Sequence, residues 1–505
     1  MKSTRMACIT TTALFVVLAT PVQLSAQHAR YKLIDIGTLG GPASYQSGFG
    51  NGEHLLSERG IAAGYADTST PDPNCIQPDC FVSHGFKWDK GTIRDLGVLP
   101  GGIYSGANEI NTHGWIAGFS ELGEVDPVSG TLAGHGVLWK KGEMLDLGTL
   151  GTGVDSNAIY VTNGGEAIGF STVDTVPDPF FFLGSVHPFI WKNGVMRDLG
   201  TLGGPDAGPA NGCDLQRGDL VAGWSFTDST PNSATGVPTQ HAFLWENGTM
   251  VNIPTLGGTY AYGQCANNRG QVVGQSSLVG DVGCDPADPF NNCLQHPFLW
   301  DHGTLTDLGS LGGDYSIASW LNNAGEAVGF SFTLNYELFH AALWKDGSIR
   351  DLGAPADDCF SLAAAINARH QIVGRSFSCD FSILRAVLWD KEVPIDLNSL
   401  IPKKSSLQLV EAVDINDRGE IFGRGLPAGC DNEDLCGHDF VLVPCGSGNT
   451  PGCDGNSAND ARSGSTAMTG SASAAQRSKL TAAFVAKLRT RLNQPHRFPS
   501  RKLSK

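Results

Sequence analysis

Apolar and polar positions alternate in short runs along most of the chain, and the same run returns many times. Starting at His84 the sequence reads HGFKWDKGTIRDLG. Related copies begin at His135, His187, His241, His296, His340 and, more weakly, Arg385. In each copy the HAFLW-type residues alternate sides with period two, which predicts a strand. Pairs such as Asn193-Gly194 predict a tight hairpin, and a return strand follows that ends in DLG.

Two more strands complete each copy. A TLGG-type loop (201–204) leads to a strand typified by NEIN (108–111), then a short turn, then a strand typified by WIAGFS (115–120). Each unit therefore predicts four antiparallel strands. The repeated tryptophans are 44 to 55 residues apart, a spacing that suits one blade of a β-propeller. They are Trp88, Trp139, Trp191, Trp245, Trp300, Trp344 and Trp389.

The two ends of the repeat region are complementary. The region opens at Tyr31 with YKLIDIGTLGG, a return strand that no tryptophan strand precedes. It closes at His438 with HDFVLVPC, a tryptophan-type strand that no return strand follows. We expect these strands to pair, which predicts an all-β, eight-bladed β-propeller of four-stranded antiparallel blades, closed by the N-terminal strand completing the last blade. A seven-bladed or kelch-like propeller is the alternative, because kelch units have a similar period and also carry tandem glycines and a tryptophan.

The motifs HAFLW, TLGG and INxxGxxxG resemble the bacterial extracellular HAF-type repeat family over residues 31–445. The resemblance implies secretion and a propeller-like array. It implies no established activity and no catalytic residues. Arg385 stands in place of the repeat histidine, and Asn252 in place of the repeat aspartate. We therefore expect those two units to be locally irregular.

Residues 1–26 have the pattern of a signal peptide. Lys2 and Arg5 precede an apolar stretch (7–19) that is too short to span a membrane, and a plausible cleavage site follows at Ala26. No later segment has 18 consecutive apolar residues, so no membrane span is expected. We expect a secreted protein, extracellular or periplasmic.

The C-terminal part divides in two. Residues 446–475 are rich in Gly, Ser, Ala and Asn, which predicts a flexible linker. Residues 476–505 hold nine basic residues and no acidic ones. In this tail Leu480, Phe484, Leu488 and Leu492 recur every fourth residue, which predicts a short basic amphipathic helix. Such a tail suits peripheral contact with an anionic membrane or envelope, docking on a partner, folding back onto the acidic body, or a solvated disordered state.

Charge and cysteines narrow the class further. The whole chain has a formal net charge of −16, but residues 27–445 hold 22 Lys/Arg against 48 Asp/Glu. Such a body repels phosphate backbones, so nucleic acid is not an expected partner, whereas cations and basic surfaces are attracted.

Twelve cysteines follow the signal peptide, and an even number in an exported protein predicts six disulfides. The candidate pairs are Cys75 with Cys80, Cys213 with Cys265, Cys284 with Cys293, Cys359 with Cys379, Cys430 with Cys436 and Cys445 with Cys453. A zinc site is not expected, because no histidine or second CxxC supplies the usual ligand spacing.

No catalytic signature is present: the chain has no Gly-x-Ser-x-Gly elbow, HExxH, P-loop, EF-hand loop or sialidase-type aspartate box. The repeated histidines are interpreted as structural partners of the DLG aspartates, and the tryptophans as packing within the blades. These histidines are His84, His135, His187, His241, His296, His340 and His438.

Five units carry long inserts between their second and third strands, and function often lies on such loops over a rigid scaffold. The inserts begin near Asp67, Leu122, Val173, Thr227 and Ser277. Their candidate binding residues are Asp72, Asp126, Asp178, Asp285 and Asp288. These carboxylates suit calcium or the polar groups of a glycan, and equally suit simple Asp-Pro turns. We predict a secreted binding or scaffold propeller of unknown glycan or protein ligand, bound on the insert-bearing face. The alternative is a polysaccharide-active hydrolase or lyase that uses loop carboxylates.

Overall fold

A computed structural model describes residues 31–446 and Cys453, apart from 47–52, 73–74, 76–78, 181–183, 214, 216, 234, 281–293, 335–337 and 356–357. The signal peptide, almost all of the linker and the tail at 476–505 lie outside the described residues. No helix among the described residues is long and apolar enough to cross a membrane.

Strands dominate the described chain. The first half contains β1 (Tyr31–Asp35), β2 (Gly40–Tyr45), β3 (Ala62–Pro71), β4 (Phe81–Asp89), β5 (Thr92–Asp95), β6 (Gly101–Ile110), β7 (Ile116–Val125), β8 (Leu132–Lys140), β9 (Glu143–Asp146), β10 (Ser156–Val161), β11 (Ala167–Thr172), β12 (Val186–Lys192), β13 (Val195–Asp198), β14 (Ala207–Pro209), β15 (Leu220–Phe226) and β16 (Gln240–Glu246).

The second half contains β17 (Thr249–Ile253), β18 (Gly257–Ala266), β19 (Val272–Leu278), β20 (Gln295–Asp301), β21 (Thr304–Asp307), β22 (Gly312–Leu321), β23 (Ala327–Thr333), β24 (Phe339–Lys345), β25 (Ser348–Asp351), β26 (Asp358–Ile366), β27 (Ile372–Ser378), β28 (Leu384–Asp390), β29 (Val393–Asp396), β30 (Leu407–Ile415), β31 (Ile421–Pro427) and β32 (His438–Pro444). A 3-10 helix at Leu397–Leu400 and the one-turn helix α1 at Glu433–Cys436 complete the described elements.

These strands form antiparallel groups of four, as the repeat predicted. Five groups are separate four-stranded sheets, and β14 to β25 form three more groups joined into one twelve-stranded sheet. Two single parallel bridges connect these three groups: Gln240 pairs with Tyr260, and Gln295 pairs with Tyr315. Within a group we name the strands A, B, C and D in sheet order, and we number the groups as units 1 to 8 from β2 onward. Unit 8 contains β30, β31 and β32, followed by β1 as its strand D.

The hairpin between strands C and D follows from its sequence. In unit 4, Asn247 and Gly248 both have positive φ, at 51° and 94°. A two-residue turn of this kind needs positive φ at both positions, which Asn and Gly adopt at low cost. Strand C before the hairpin carries the repeated tryptophan, and all seven tryptophans are buried, with at most 9% of the residue exposed.

The tryptophans also join one unit to the next. Trp139 in unit 2 donates its Nε1–H to the carbonyl of Leu96 in unit 1, at 3.0 Å. Trp389 in unit 7 donates in the same way to the carbonyl of Leu352 in unit 6, at 3.0 Å. Because each ring fills the space beside the preceding strand D, its burial holds consecutive units together.

The turns between strands A and B form a second set of links. An asparagine side chain in one turn donates to a backbone carbonyl in the turn of the next unit. These bonds are Asn111 to Thr162 (2.9 Å), Asn267 to Asn322 (3.2 Å), Asn367 to Asn416 (3.0 Å) and Asn416 to Ser57 (3.1 Å). The last of them runs from unit 8 to unit 1.

The first strand pairs with the last, as the complementary chain ends predicted. Strands β1 and β32 are antiparallel, with Tyr31 opposite Pro444 and Asp35 opposite Phe440. His438 Nδ1 lies 3.0 Å from Asp35 Oδ1. The two residues are 403 positions apart, yet they reproduce the His–Asp contact that five other units make within one hairpin.

The expected irregularity at the two departures from the repeat is wrong. Strands β16 and β17 keep a continuous register, and so do β28 and β29. The amide oxygen of Asn252 replaces a carboxylate oxygen and lies 2.8 Å from His241 Nδ1. Arg385 is longer than histidine, and it forms ion pairs with Asp358 and, at 3.6 Å, with Asp396. Both substitutions therefore preserve the polar contact between strands C and D.

Five of the six expected disulfides are present in the described residues. The sixth expected bond, between Cys284 and Cys293, is not confirmed, because Cys284 and Cys293 lie outside the described residues, and it stays a prediction. The Cys213–Cys265 bond joins units 4 and 5, whereas the Cys430–Cys436 bond encloses helix α1. The bonds therefore stabilise both the contact between units and the loops at one end of the sheets. The five bonds present are Cys75–Cys80, Cys213–Cys265, Cys359–Cys379, Cys430–Cys436 and Cys445–Cys453.

Candidate binding face

The connections from strand B to strand C lie at the same end of the sheets as the TLGG loops. In unit 2, Gly101 at the start of strand A is opposite Leu122 near the end of strand B. Val125 then pairs with Leu132, where strand C begins. We call this end the insert face and the opposite end, with the A–B and C–D turns, the turn face. The B–C connections and the TLGG loops therefore share one end of the sheets.

The B–C connections of the insert face carry charge of one sign, whereas Lys403 and Lys404 lie at the same end in the connection from strand D of unit 7 to strand A of unit 8. The B–C connections are residues 72–80, 126–131, 173–185, 227–239, 279–294, 334–338, 379–383 and 428–437. The described residues of these segments contain ten Asp or Glu and no Lys or Arg, and the sequence adds four acids that lie outside the described residues. The turn face is mixed: it carries acids together with Arg59, Arg217, Arg269, Arg369 and Arg418. The acidic surplus of the body is therefore concentrated at one end.

Exposed aliphatic side chains accompany this charge. Eight large hydrophobic residues are exposed among the described residues, by 37% to 76%. Six of them lie in, or immediately beside, the B–C connections: Val125, Val176, Val279, Leu334, Ile383 and Leu435. Scattered exposed aliphatics are ordinary, but their concentration on one face is typical of an interaction surface.

The predicted binding aspartates that the structure describes serve the turns of this face. Asp126 accepts hydrogen bonds from the backbone N–H of Val128 and Ser129, both at 2.9 Å. Asp178 accepts from Phe180 N–H at 2.7 Å. Asp72 is bonded through its backbone to both cysteines of the Cys75–Cys80 loop. All three residues are less than 9% exposed, and Asp285 and Asp288 lie outside the described residues. Among the residues described, no group of three or more His, Cys, Asp or Glu could hold a metal ion.

Two further buried aspartates lie behind these turns. Asp155 at the start of unit 3 accepts from Gly134 N–H at 2.8 Å, and Asp206 at the start of unit 4 accepts from Val186 N–H at 2.9 Å. Burial raises the pKa of each carboxyl to about 7, and the neighbouring charge of Asp126 or Asp178 raises it further. The repeat alignment places an aromatic residue at this position in units 2, 5 and 6, so the substitution was visible in the sequence although its burial was not.

A buried ionic cluster joins units 7 and 8 below the insert face. Arg375 Nη2 lies 2.5 Å from Glu411 Oε2 and 3.1 Å from Glu433 Oε2, and all three side chains are at most 5% exposed. Helix α1 supplies Glu433 and begins where the side chain of Asn432 caps Asp434 N–H. Nearby, Arg424 lies 3.9 Å from both Asp434 and Asp439. Burial raises the pKa of Asp439 to about 7, and the positive charge of Arg424 opposes that rise.

Unit 1 has a carboxyl pair bridged by a tyrosine. The Tyr45 hydroxyl lies 3.3 Å from Asp67 Oδ2 and 2.5 Å from Asp79 Oδ2. Asp67 also accepts from Ala43 N–H at 3.0 Å and from Ser83 Oγ–H at 2.8 Å. Burial raises the pKa of Asp67 to about 8, with a further rise from Asp79. One of the two carboxyls therefore retains its proton near neutral pH.

The A strands converge on a common centre that is filled by side chains. His54 of unit 1 lies 3.4 Å from Asp414 of unit 8, and its ring centroid is 6.3 Å from that of Trp320 in unit 6. Gly212 N–H of unit 4 donates to Glu109 Oε2 of unit 2 at 3.3 Å. Burial raises the pKa of Glu109 well above its ordinary value, although His54 opposes the rise. The contacts of His54 with Trp320 and of Gly212 with Glu109 link units that are not neighbours, and the repeat pattern does not predict them.

The repeated histidines make the predicted contact with strand D. His84 Nδ1 lies 2.9 Å from Asp95, and the same contact is found in five further pairs at 2.8 to 3.0 Å: His135–Asp146, His187–Asp198, His296–Asp307, His340–Asp351 and His438–Asp35. Although burial opposes ionisation, the hydrogen bonds from His84 and Gly97 lower the pKa of Asp95. The Asp95 side chain is 45% exposed, so its pair with His84 lies at the surface of the sheet. In each unit that has it, the pair lies where strand C begins and strand D ends, near the insert face.

No protein-family model matches the chain, and no curated protein sequence matches it. Solved structures similar to it include an acylaminoacyl peptidase from Pyrococcus horikoshii, with 12% identity, 76% of this chain and 59% of that chain covered, and a TM-score of 0.39. The β-propeller domain of the Trilobed protease from Pyrococcus furiosus has 8% identity, 71% and 98% coverage, and a TM-score of 0.40. Dipeptidyl peptidase 4 from Porphyromonas gingivalis has 9% identity, 79% and 66% coverage, and a TM-score of 0.43. The chain spans about three fifths of the acylaminoacyl peptidase. Alignments at this level assign no activity to the chain.

Proposed function

We propose that this protein is a secreted β-propeller of eight blades that binds a positively charged protein segment on its insert face. The observation that carries the proposal is the composition of the eight B–C connections, with fourteen acidic residues, no basic ones and a concentration of exposed aliphatics. Opposite charge speeds association and orients the partner, and the aliphatics add contact area that excludes water. A segment that alternates basic and apolar side chains is complementary both to the acidic charge and to the exposed aliphatic side chains of this face. Membership of the HAF-type repeat family is part of the same proposal.

Closure of the ring by strand β1 is supported by the β1–β32 register and by the bond from Asn416 in unit 8 to Ser57 in unit 1. A closed ring leaves no unpaired sheet edge between the first and last units. Amide hydrogen exchange tests this directly. In a closed ring, residues 31–35 exchange as slowly as residues 438–444. Exchange of residues 31–35 at the rate of an unstructured peptide would contradict closure.

Secretion is supported by the five disulfides, which persist in oxidising compartments. Expression of the whole chain in a Gram-negative host, followed by N-terminal mass spectrometry of the exported protein, tests the expected start at Gln27. Retention of Met1 on a protein that stays in the cytoplasm would contradict export.

Binding is tested on the oxidised whole chain with oligolysine as the probe, and with oligoglutamate and neutral polysaccharides, each with and without calcium. We expect oligolysine to bind, with an affinity that falls as salt rises because the Debye length shortens from about 10 Å at 0.1 M to about 3 Å at 1 M. Binding of a neutral polysaccharide in place of oligolysine would contradict a cationic partner.

A matched pair of variants locates the site. The first carries Asp228→Asn, Asp380→Asn and Asp431→Asn, three exposed residues of the insert face. The second removes the same charge from the turn face through Glu143→Gln, Asp301→Asn and Asp346→Asn. At about 0.5 kcal/mol for each surface charge, the first variant loses roughly tenfold in oligolysine affinity and the second loses little. Equal losses in the two variants would place binding elsewhere.

A polysaccharide-active hydrolase is the second candidate, favoured by the carboxyl pair of Asp67 and Asp79. Glycoside cleavage needs a protonated carboxyl as its general acid, and burial raises the pKa of Asp67 far enough to keep that carboxyl protonated near neutral pH. Incubation with envelope and plant polysaccharides, followed by mass spectrometry, separates retained polymer from shortened products. Shortened products that disappear in Asp79→Asn would establish an enzyme, and intact polymer throughout would exclude this pair as its catalyst.

A further inference from the structure

We infer that the insert face is occupied by the chain's own C-terminal segment, residues 477–505, which an external partner must displace. This inference rests on the proposed function of the face as a site for positively charged segments. In this arrangement the tail of the same molecule covers the site, and it competes with any external partner for that site.

Charge complementarity is the first support. The described residues of the B–C connections hold ten acidic and no basic residues, whereas residues 477–505 hold nine basic and no acidic ones. Nowhere else in the chain is there a stretch of this length with so many basic residues. A segment tethered to an acidic body experiences its attraction continuously, because both belong to one molecule.

Apolar complementarity is the second support. The tail places Leu480, Phe484, Leu488 and Leu492 at four-residue spacing, with basic residues between them. The face presents exposed aliphatic side chains beside its carboxylates, among them Leu435 of helix α1. An apolar stripe flanked by basic residues matches exposed aliphatics flanked by acids, and the match removes both apolar surfaces from water.

The linker is long enough to reach. Strand β32 runs from the insert face at His438 to the turn face at Pro444, and the Cys445–Cys453 bond holds the chain there. To return, the chain must cross a sheet whose strands have up to ten residues, a height of about 33 Å. Residues 454–476, if coil-like as their composition predicts, have a root-mean-square span of about 26 Å and a fully extended length of about 75 Å. The tail therefore samples the insert face at an effective concentration on the order of millimolar.

Zero-length carbodiimide cross-linking of the oxidised whole chain tests the contact, because it joins a lysine amine to a carboxylate only where the two touch. We expect Lys479 or Lys487 to be linked within one molecule to acids of the insert face, such as Asp228, Asp380 or Asp431. These links should disappear in 1 M salt. Links confined to acids of the turn face, links only between molecules, or no links from these lysines would each overturn the inference.

Competition separates this inference from the proposed function. One variant neutralises the tail through Lys479→Gln, Lys487→Gln, Arg489→Gln and Arg491→Gln. Its control keeps the charge through Lys479→Arg, Lys487→Arg, Arg489→Lys and Arg491→Lys. If a tail of roughly 0.1 mM intrinsic affinity covers the face, oligolysine binds the neutral variant about tenfold more tightly than the parent chain, and the control matches the parent.

The other outcomes of this competition distinguish failure of the tail contact from failure of the binding function. Equal oligolysine affinity in the parent chain, the neutral variant and the control would overturn the inference and leave the binding function intact. Absence of oligolysine binding in all three, together with absence of the insert-face cross-links, would refute both. Absence of oligolysine binding to the parent, with strong binding to the neutral variant, would support both.

Discussion

Replacement of Asp155 and Asp206 by asparagine should stabilise the protein more at pH 8 than at pH 5. Both carboxyls are at most 3% exposed, and each accepts a backbone N–H bond that an asparagine side-chain oxygen can also accept. Asparagine carries no charge to desolvate and does not repel the nearby Asp126 or Asp178. The benefit therefore grows from about pH 4, where the aspartates of the unfolded chain ionise, and reaches its full size above pH 7.

The sign follows from proton binding. Each folded-state pKa is about 7, against 3.8 for an unperturbed aspartate. Between about pH 4 and 7 the folded state holds protons that the unfolded state has lost, so the free energy of unfolding falls as pH rises through that window and levels off above it. A difference of about three pKa units corresponds to as much as ~4 kcal/mol for each group, taken as an order of magnitude. For a cooperative unit of about 400 residues this is a rise in Tm of about 5 °C for each replaced aspartate, or about 10 °C for the double variant.

The assay is thermal unfolding of the oxidised whole chain, followed by circular dichroism at pH 5, 6, 7 and 8, for the parent, for Asp155→Asn/Asp206→Asn and for the exposed control Asp228→Asn. The double variant should gain over the parent as pH rises, while the control stays parallel to the parent. The parent itself should lose stability from pH 5 to pH 8, because Asp67 and Asp439 also have raised pKa values. A gain that is the same at pH 5 and pH 8, or no gain at pH 8, would refute the assignment of buried, protonated carboxyls.

Three further predictions concern the joints between units. Trp389→Ala should lower the free energy of unfolding by about 3–5 kcal/mol in urea, because it empties a fully buried site and removes a bond to unit 6; a loss below 1 kcal/mol would contradict its packing role. Arg375→Met should cost about 3–5 kcal/mol in the same assay, since two buried glutamates lose their counter-charge; a cost below 1 kcal/mol would contradict the buried ion pairs. Cys213→Ser/Cys265→Ser should cost about 4 kcal/mol, the chain-entropy value for a separation of 52 residues, measured by urea unfolding against the reduced parent as control.

The regular parts of the fold could be predicted from the sequence because they depend on local rules. Period-two alternation identified the strands, Asn-Gly pairs identified the hairpins, and the complementary ends at Tyr31 and His438 identified the pairing of the first strand with the last. The contact between His84 and Asp95 was also predictable, because a hairpin of known register brings both residues to facing strands. Each of these predictions used only residues of a single unit, or a comparison between equivalent positions in different units.

The buried polar groups could not be predicted, because they depend on which units meet and on what covers them. Arg375 and Glu433 are 58 residues apart and meet only because units 7 and 8 are adjacent and helix α1 folds over them. Glu109 and Gly212 meet across the centre, which no local pattern describes. The dipeptide Asp126-Pro127 suits a turn and a ligand site equally, and only the bonds from Val128 and Ser129 show that the carboxylate serves a turn.

The position of the acidic surplus follows from what each connection must do. The C–D hairpin needs positive φ, the A–B turn needs an asparagine that bonds to the next unit, and the TLGG loop lies tightly against strand B. Only the B–C connection is free of these demands, so it can vary in length and charge without cost to the array. The acids of this connection nevertheless destabilise one another's surroundings, because charges such as those of Asp126 and Asp178 help raise the pKa of the buried carboxyls Asp155 and Asp206.

A positively charged segment bound on this face would reduce that repulsion and favour the ionised form of the buried carboxyls. By linkage, binding should then release protons and become tighter as pH rises from 6 to 8, which is the behaviour expected of a face whose charge is matched by its partner.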